Sequence, residues 1–357
     1  MSARRRIVSF LPSATEMAFA LGLDDQIFGV THECDYPPAA ASKAVVVSNI
    51  LPIETMSQKD IDRAVSERLG AGLGLYRINK RLIQEIAPDL ILTQKLCPVC
   101  APADTEIIEA LSVLAMVPEV LWLTPHSIGE IFENLWELAR ATGREAIAKT
   151  IIDDGRNRLE RVKVEAAKAR RRPRVFCMEW IDPIYCSGHW VPEMVSLAGG
   201  EDCLGRPGAD SVRIPWDDVL AWAPEVLVVA PCGFNLERSL DLAAHLFSLP
   251  GWENLPAVRD HRVHVVDANA YFARPGPRIV RGTELLAHLF HPDLFPWEGP
   301  VNAFRQVSGG SPPSADSDDA ATLFRTDAAG DSDLIPPVLG RSVGGFSLDV
   351  FELVGQA

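Results

Sequence analysis

The sequence predicts an α/β protein: two lobes with mostly parallel sheets, joined by one long helix. Three observations predict it. Strand and helix patterns alternate from Ile7 to His291. Thr142 to Arg172 reads as a single helix, because Ala148, Ile152, Gly155, Leu159, Val162, Ala166 and Ala169 recur at spacings of four and three and so share one stripe. On either side of that helix a short phrase repeats, Ala87-Pro-Asp-Leu-Ile-Leu92 and Ala223-Pro-Glu-Val-Leu-Val228, at a constant offset (224 − 88 = 136). In each copy Pro stops a helical pattern, an acid follows, and an apolar run without alternation begins, as suits a parallel strand covered on both faces. The chain therefore divides into an N-terminal lobe (1–141), the connecting helix (142–172), a C-terminal lobe (173–299) and a tail (300–357).

In the first lobe, Ile7–Leu11 is a predicted strand. Helix Ser13–Leu21 follows, with Ser13 as N-cap and Glu16 completing a capping box. Strands Gln26–Thr31 and Ala44–Val47 flank the loop from His32 to Pro38, and residues 58–70 have a helical pattern. Gly70, Gly72 and Gly74 then break the chain; with no strand before them and no Lys-Ser/Thr after, they are not a phosphate loop. Helix Asn79–Ile86, strand Asp89–Thr93, a loop holding Cys97-Pro-Val-Cys100, helix Asp104–Ala115, strand Glu119–Leu123 and helix Ser127–Ala141 complete the lobe. The connecting helix opens on a second capping box, Thr142 with Glu145, stops before Pro173, and spans roughly 40 Å at about 1.5 Å per residue.

The second lobe opens with strand Arg174–Trp180 and a loop with a short strand, Ile181 to Trp190. Helix Val191–Ala198 ends at Gly199-Gly200, helix Pro215–Trp222 leads to strand Val226–Ala230, and the loop Pro231 to Phe234 follows. Helix Leu236–Phe247, strand Arg262–Val266, the loop Asp267 to Pro277 and helix Arg278–His291 close it. Beyond about Gly299 the composition changes: Ser308 to Asp333 carries six Asp against one basic residue, which cannot bury a core and predicts disorder. Phe346 to Val354 is apolar enough to dock on the body or on a partner.

At 357 residues the chain is long enough for two cores. Hydrophobic residues make up 47%, yet no apolar run approaches the roughly 18 residues of a membrane span. A net charge of −14 excludes nucleic acid or an anionic membrane surface as a partner. Seven cysteines, an odd number, fit free thiols or metal ligands better than a disulfide framework. Met1 to Arg6 followed by Ile7 to Leu23 has the outline of an export signal, but Pro12, Ser13, Thr15 and Glu16 interrupt it, so the expected location is the cytoplasm.

Ile7-Val-Ser-Phe-Leu-Pro-Ser-Ala-Thr-Glu16, Leu21-Gly22, Gly29-Val-Thr31 and Cys34-Asp-Tyr-Pro-Pro38 form an ordered series with several later phrases. These are Ala87-Pro-Asp-Leu-Ile91, Ile181-Asp-Pro-Ile-Tyr185, Leu197-Ala-Gly-Gly-Glu201, Pro250-Gly-Trp252, Val258-Arg259 and Arg274-Pro-Gly-Pro-Arg278. The series resembles the vitamin B12 and iron-siderophore substrate-binding proteins of ABC importers over roughly residues 5 to 295, and most of all the cobalamin-binding branch. The resemblance implies two Rossmann-like lobes with a ligand cleft between them. Three features depart from the periplasmic members: Ser57 to Asn79, Cys97 with Cys100, and the acidic tail. Without an export signal or lipobox cysteine, an importer partner is not expected either.

In open α/β sheets, ligands bind beyond the carboxyl ends of the strands. That rule selects Ser13, Thr15, His32, Tyr36, Gln94, Trp180, Asp182, Tyr185, Phe234, Phe272 and Arg274 as ligand-binding candidates. Aromatic faces with a few polar donors suit a corrinoid, a broad apolar disc edged with amides. The resemblance puts Tyr36, Tyr185 and Phe272 where the B12 binders hold the ring; Arg274 either holds an amide or phosphate or caps the last helix. Cys34, Cys97, Cys100 and Cys232 all follow strand ends and are candidate ligands of a metal ion or of a corrinoid's cobalt, with buried core thiols and redox chemistry as the alternatives. The expected function is cytoplasmic binding or chaperoning of cobalamin, another corrinoid or a related metal chelate. A metal- or thiol-dependent enzyme using the four cysteines on the same scaffold is the alternative; no nucleophile elbow, His-Glu-x-x-His or Walker loop supplies a catalytic set.

Overall fold

The computed structural model describes residues 4–95 and 104–307. The first lobe runs β1 (Ile7–Ser9), α1 (Pro12–Ala20), β2 (Ile27–Thr31), β3 (Ala44–Asn49), α2 (Gln58–Gly70), β4 (Tyr76–Ile78), α3 (Lys80–Ile86), β5 (Leu90–Thr93), α4 (Asp104–Leu111), β6 (Glu119–Trp122) and α5 (Ile128–Thr142). Its sheet has the order β4-β3-β2-β1-β5-β6, parallel except for β4 at one edge. After α6 (Glu145–Ala166) come β7 (Val175–Trp180), β8 (Tyr185–Cys186), β9 (Gly188–His189), α7 (Val191–Leu197), β10 (Arg206–Pro207), α8 (Trp216–Trp222), β11 (Val226–Val229), α9 (Leu236–Ala243), α10 (Pro256–Arg259), β12 (Val263–Val266), α11 (Ala268–Tyr271), α12 (Ile279–Phe290) and β13 (Phe304–Val307). The second sheet has the order β13-β12-β11-β7-β8, with antiparallel strands only at its two edges.

The repeated phrase occupies equivalent places. Ala87 and Ala223 both close a helix in the left-handed conformation (φ 47 and 50), and each backbone N–H turns back to a carbonyl of its helix. β5 then lies between β1 and β6, as β11 lies between β7 and β12. Alternate residues of these fully buried strands face different cores. Ile7, Leu90, Leu92, Val175, Val226 and Val228 enter one apolar cluster shared by both lobes. Val8 and Ile91 face a second cluster, and Phe176, Leu227 and Val229 a third.

Helix α6 lies on the shared core through Ala148, Ile152, Gly155, Leu159, Val162 and Ala166, the stripe read from the sequence. Its 22 residues span about 33 Å, less than the predicted 142–172, for two reasons. Thr142 ends α5 instead of capping α6: its hydroxyl donates to Leu138 O at 2.7 Å, and Gly143 takes the left-handed turn. At the other end α6 stops at Ala166, short of the arginines. The helix carries Gly155 because a Cβ there would stand 2.9 Å from the Phe132 ring of α5 and 3.3 Å from Val280 of α12. Residues 304–307, expected in the tail, instead extend the second sheet. Ser13 is no N-cap: Pro12 occupies the first turn after Leu11, and Glu16 points elsewhere. The tail beyond Val307, with its expected disorder and the docking segment Phe346–Val354, lies outside the described residues.

Candidate ligand-binding cleft

The strand carboxyl ends carry α1 after β1, the His32 to Pro38 loop after β2, Gln94 after β5 and Leu123 to His126 after β6. In the second lobe they carry Ile181 to Ile184 after β7, Pro231 to Phe234 after β11 and Asp267 to Arg278 around α11. Two polar bridges tie these edges together.

The first bridge centres on Glu16 of α1, which is 4% exposed. Arg274 donates to its Oε1 at 3.3 Å, and Arg278 donates to its Oε2 at 2.9 Å. Arg274 also pairs with Asp35 and donates to Glu33 O at 2.9 Å. Burial works against the Arg274 charge, but the hydrogen bond to Asp35 and the fields of Glu16 and Asp35 outweigh it and hold the group protonated more firmly than usual. The Arg278 guanidinium lies 4.0 Å from the centre of the Tyr36 ring. Arg274 thus joins the lobes through both terminal nitrogens.

The second bridge comes from α2, the segment that departs from the periplasmic pattern. Gln58, almost fully buried, accepts through Oε1 from both Ile181 N and Asp182 N at 3.0 Å. One turn on, Asp62 accepts from the Tyr185 hydroxyl at 3.1 Å, and its Oδ1 and Oδ2 accept from Arg213 Nη2 at 2.9 and 2.7 Å, while Arg213 Nε donates to Tyr185 Oη at 3.0 Å. Burial raises the Tyr185 pKa; Asp62 adds to the rise and Arg213 opposes it. Arg238 donates to Met56 O at 3.0 Å.

At the strand ends of the second lobe, Trp180 and Phe234 form an aromatic pair with ring centres 5.5 Å apart, and Trp180 Nε1 donates to Asp182 O. Both ring nitrogens of His32, Thr93 Oγ1, Gln94 Oε1 and Gln58 Nε2 are buried without a hydrogen-bond partner; the nearest charge to His32 is Glu33 at 4.0 Å. Buried polar atoms are otherwise nearly always paired. Thr15 and Phe272 belong to the core: Thr15 is fully buried against Cys34, and Phe272 is 3% exposed with its carbonyl accepting from Trp190 Nε1. Ser13 is buried in the first turn of α1.

Cys34 is also a core thiol. Its sulfur lies 3.1 Å from Thr15 Oγ1 and 3.3 Å from Thr31 Oγ1, and burial pushes its pKa up. Cys232 is half-buried and free. Cys97 and Cys100 lie outside the described residues. Among the described residues no three His, Cys, Asp or Glu side chains converge as a metal site. Thiol catalysis needs a thiolate, and burial that pushes the Cys34 pKa up works against one, so Cys34 gives the thiol-dependent enzyme no support. An open groove of about 820 Å³ beside α6, lined by Arg158, Arg161, Arg281, Glu284, Phe295 and Trp297, includes none of the strand-end loops.

Sequence reasoning passed over Gln58, Asp62, Arg213 and Glu16. Gln58 had a signal: it falls in register with Ile61, Val65 and Leu69, so the buried stripe of α2 begins with a polar residue.

Residues 7–270 match the periplasmic binding protein family. The chain belongs to that family. It is 24% identical, over 82% of its length and 81% of the relative's, to YvrC, an ABC transporter substrate-binding lipoprotein of Bacillus subtilis (strain 168). It is also 24% identical to a vitamin B12-binding protein of Vibrio cholerae, covering 78% of this chain and 86% of that one. Among solved structures, the periplasmic vitamin B12-binding protein BtuF of Vibrio cholerae superposes with a TM-score of 0.58 at 23% identity, over 80% of this chain and 96% of that one. A periplasmic heme-binding protein of Pseudomonas aeruginosa reaches 0.65 at 19% identity, over 86% and 99%. The two-lobe α/β fold is therefore the periplasmic-binding fold. These relatives are periplasmic or lipoprotein binders, which overturns the cytoplasmic placement expected from the opening residues. No helix among the described residues is long and apolar enough to cross a membrane.

Proposed function

We propose that this protein binds cobalamin, or a closely related corrinoid, in the cleft between its lobes and delivers it to an ABC importer without catalysing a reaction. The observation that carries this reading is the company of side chains at the strand ends. Partnerless buried polar atoms on His32, Thr93 and Gln94 edge the first lobe's sheet, with the Tyr36 ring nearby in sequence and the Trp180–Phe234 pair on the second lobe. A flat, mostly apolar chelate with amides at its rim needs apolar ring faces for its disc and fixed polar groups for its edge. The vitamin B12-binding relatives support the choice of a corrinoid.

Titration of the full chain with cyanocobalamin and, separately, with hemin tests it. Cobalamin is expected to quench tryptophan emission at one equivalent, with a Kd of about 1 μM or tighter, and Trp180→Ala to weaken binding about tenfold, or about 1.4 kcal/mol. Binding of hemin alone would overturn the corrinoid assignment, and binding of neither at about 100 μM would overturn the cleft as a chelate site.

A further inference from the structure

We propose that His126 and His189 form a two-imidazole site for a divalent transition-metal ion, bridging the two lobes. His126 lies past the carboxyl end of β6 in the first lobe, and His189 ends β9 in the second. Their ring centres stand 6.0 Å apart, with planes inclined by 46°. A metal–nitrogen bond of about 2.0–2.1 Å sets each ring centre about 3 Å from the ion, so two rings on one ion stand roughly 5 to 6 Å apart. The observed separation meets that requirement without moving either lobe.

Each ring has one nitrogen against a carboxylate. His126 Nδ1 lies 3.3 Å from Glu130 Oε2, and His189 Nε2 lies 3.0 Å from Asp210 Oδ1. An ionised carboxylate only accepts, so these nitrogens carry the protons. That leaves the lone pairs on His126 Nε2 and His189 Nδ1. A carboxylate behind the imidazole is the usual arrangement that fixes a metal-ligating histidine's tautomer and raises its basicity. Glu130 also accepts from His126 N at 2.6 Å, so it holds the residue at two points. Glu193 of the second lobe accepts from Ile128 N, two residues past His126, at 2.9 Å.

An independent observation comes from the backbone. His189 has φ +52, a left-handed conformation that a non-glycine residue adopts at a cost, and such strain gathers at functional positions. Imidazole ligands suit zinc, nickel, copper and cobalt. Since no third His, Cys, Asp or Glu converges here among the described residues, the ion completes its shell with water or with donor atoms of a bound small molecule. Such a site keeps open positions, unlike a closed structural zinc.

The test is titration of chelator-treated full chain with Co²⁺, followed by calorimetry and by absorption. We expect one equivalent bound with a Kd of about 10 μM or tighter, and a spectrum without the intense near-ultraviolet band of cobalt thiolate. His126→Gln and His189→Asn should each weaken binding about tenfold or more, and the double variant should abolish it. Asparagine tolerates the left-handed backbone at 189. His126 is 44% exposed, so its variant keeps the readout should the other fail to fold. Undiminished binding in His126→Gln, a thiolate band, or affinity no better than about 1 mM would each overturn the proposal.

Discussion

Glu16 and Arg274 meet between the lobes at 3.3 Å, with side chains 3% and 9% exposed. A buried ion pair adds little net stability over an apolar pair, but stranding one partner is expensive. Glu16 serves two arginines, so Glu16→Gln leaves Arg278 without its carboxylate and Arg274 with Asp35 and the Glu33 carbonyl. Urea unfolding should show a loss of about 3 kcal/mol. A change within about 0.5 kcal/mol would mean that water or Asp35 serves both guanidinium groups equally well.

Gln58 should be felt most at the opposite lobe. Its Oε1 is the acceptor for Ile181 N and Asp182 N, so Gln58→Ala leaves two N–H groups without that partner in a buried place. The expected cost is about 1–3 kcal/mol. Hydrogen exchange of the peptide that holds both amides should quicken about tenfold or more, while the β11 amides are unchanged. Equal acceleration of both would show global rather than local loosening.

His264 makes the protein sensitive to acid. Burial first, then Arg262 and His288, lower its pKa from 6.5 to about 4, and its Nδ1 has no hydrogen-bond partner. The folded pKa lies below the unfolded one, so the unfolded chain binds the extra proton. This residue's contribution is therefore intact above about pH 6.5 and is lost as pH falls towards about 4. The loss approaches about 3 kcal/mol at 1.36 kcal/mol per unit. Asp202, pushed up to about 6 by burial against four hydrogen bonds, acts in the opposite sense. It is common to both proteins when the native chain is compared with His264→Leu, so it drops out of the difference. The two stability curves should diverge as pH falls through this window; parallel curves would show that His264 titrates normally.

What was legible in the sequence was periodic. The buried stripe of α6 follows from spacing, because apolar burial must repeat with the backbone, and β5 and β11 from short unbroken apolar runs after a Pro and an acid. The edge strands β4 and β13 escaped notice: each has three or four residues and pairs with one neighbour, so few side chains report the pattern. The site was less legible for a different reason. Glu16 stands three residues after Ser13, a spacing that fits a local cap, yet its partners lie 258 and 262 residues away. Nothing in the local pattern marks a long-range ion pair. Tyr185 and Arg274 follow β7 and α11, and contacts with α2 and α1 determine how their polar groups are used.

Two glycines on neighbouring helices should respond very differently to a methyl group. Gly155 of α6 and Gly282 of α12 are both helix-interior, so alanine gains about 1 kcal/mol of propensity at each. At 155 the new Cβ meets side chains only, the Phe132 ring edge at 2.9 Å and Val280 at 3.3 Å. At 282 it would stand 2.2 Å from the Tyr271 carbonyl oxygen and 2.8 Å from Met194 Cε. That oxygen belongs to the end of α11, which leads into Phe272 and Arg274, so relief requires moving the backbone that positions the Glu16 bridge. Overpacking typically costs about 1–3 kcal/mol. Gly155→Ala should therefore fall within about 1 kcal/mol of the native chain, because propensity offsets the contact. Gly282→Ala should lose about 3 kcal/mol or more, and should weaken whatever chelate the cleft binds. Urea midpoints of the two variants decide the matter; equal midpoints would mean that α11 shifts freely and that the second lobe's bridge is not held by this contact.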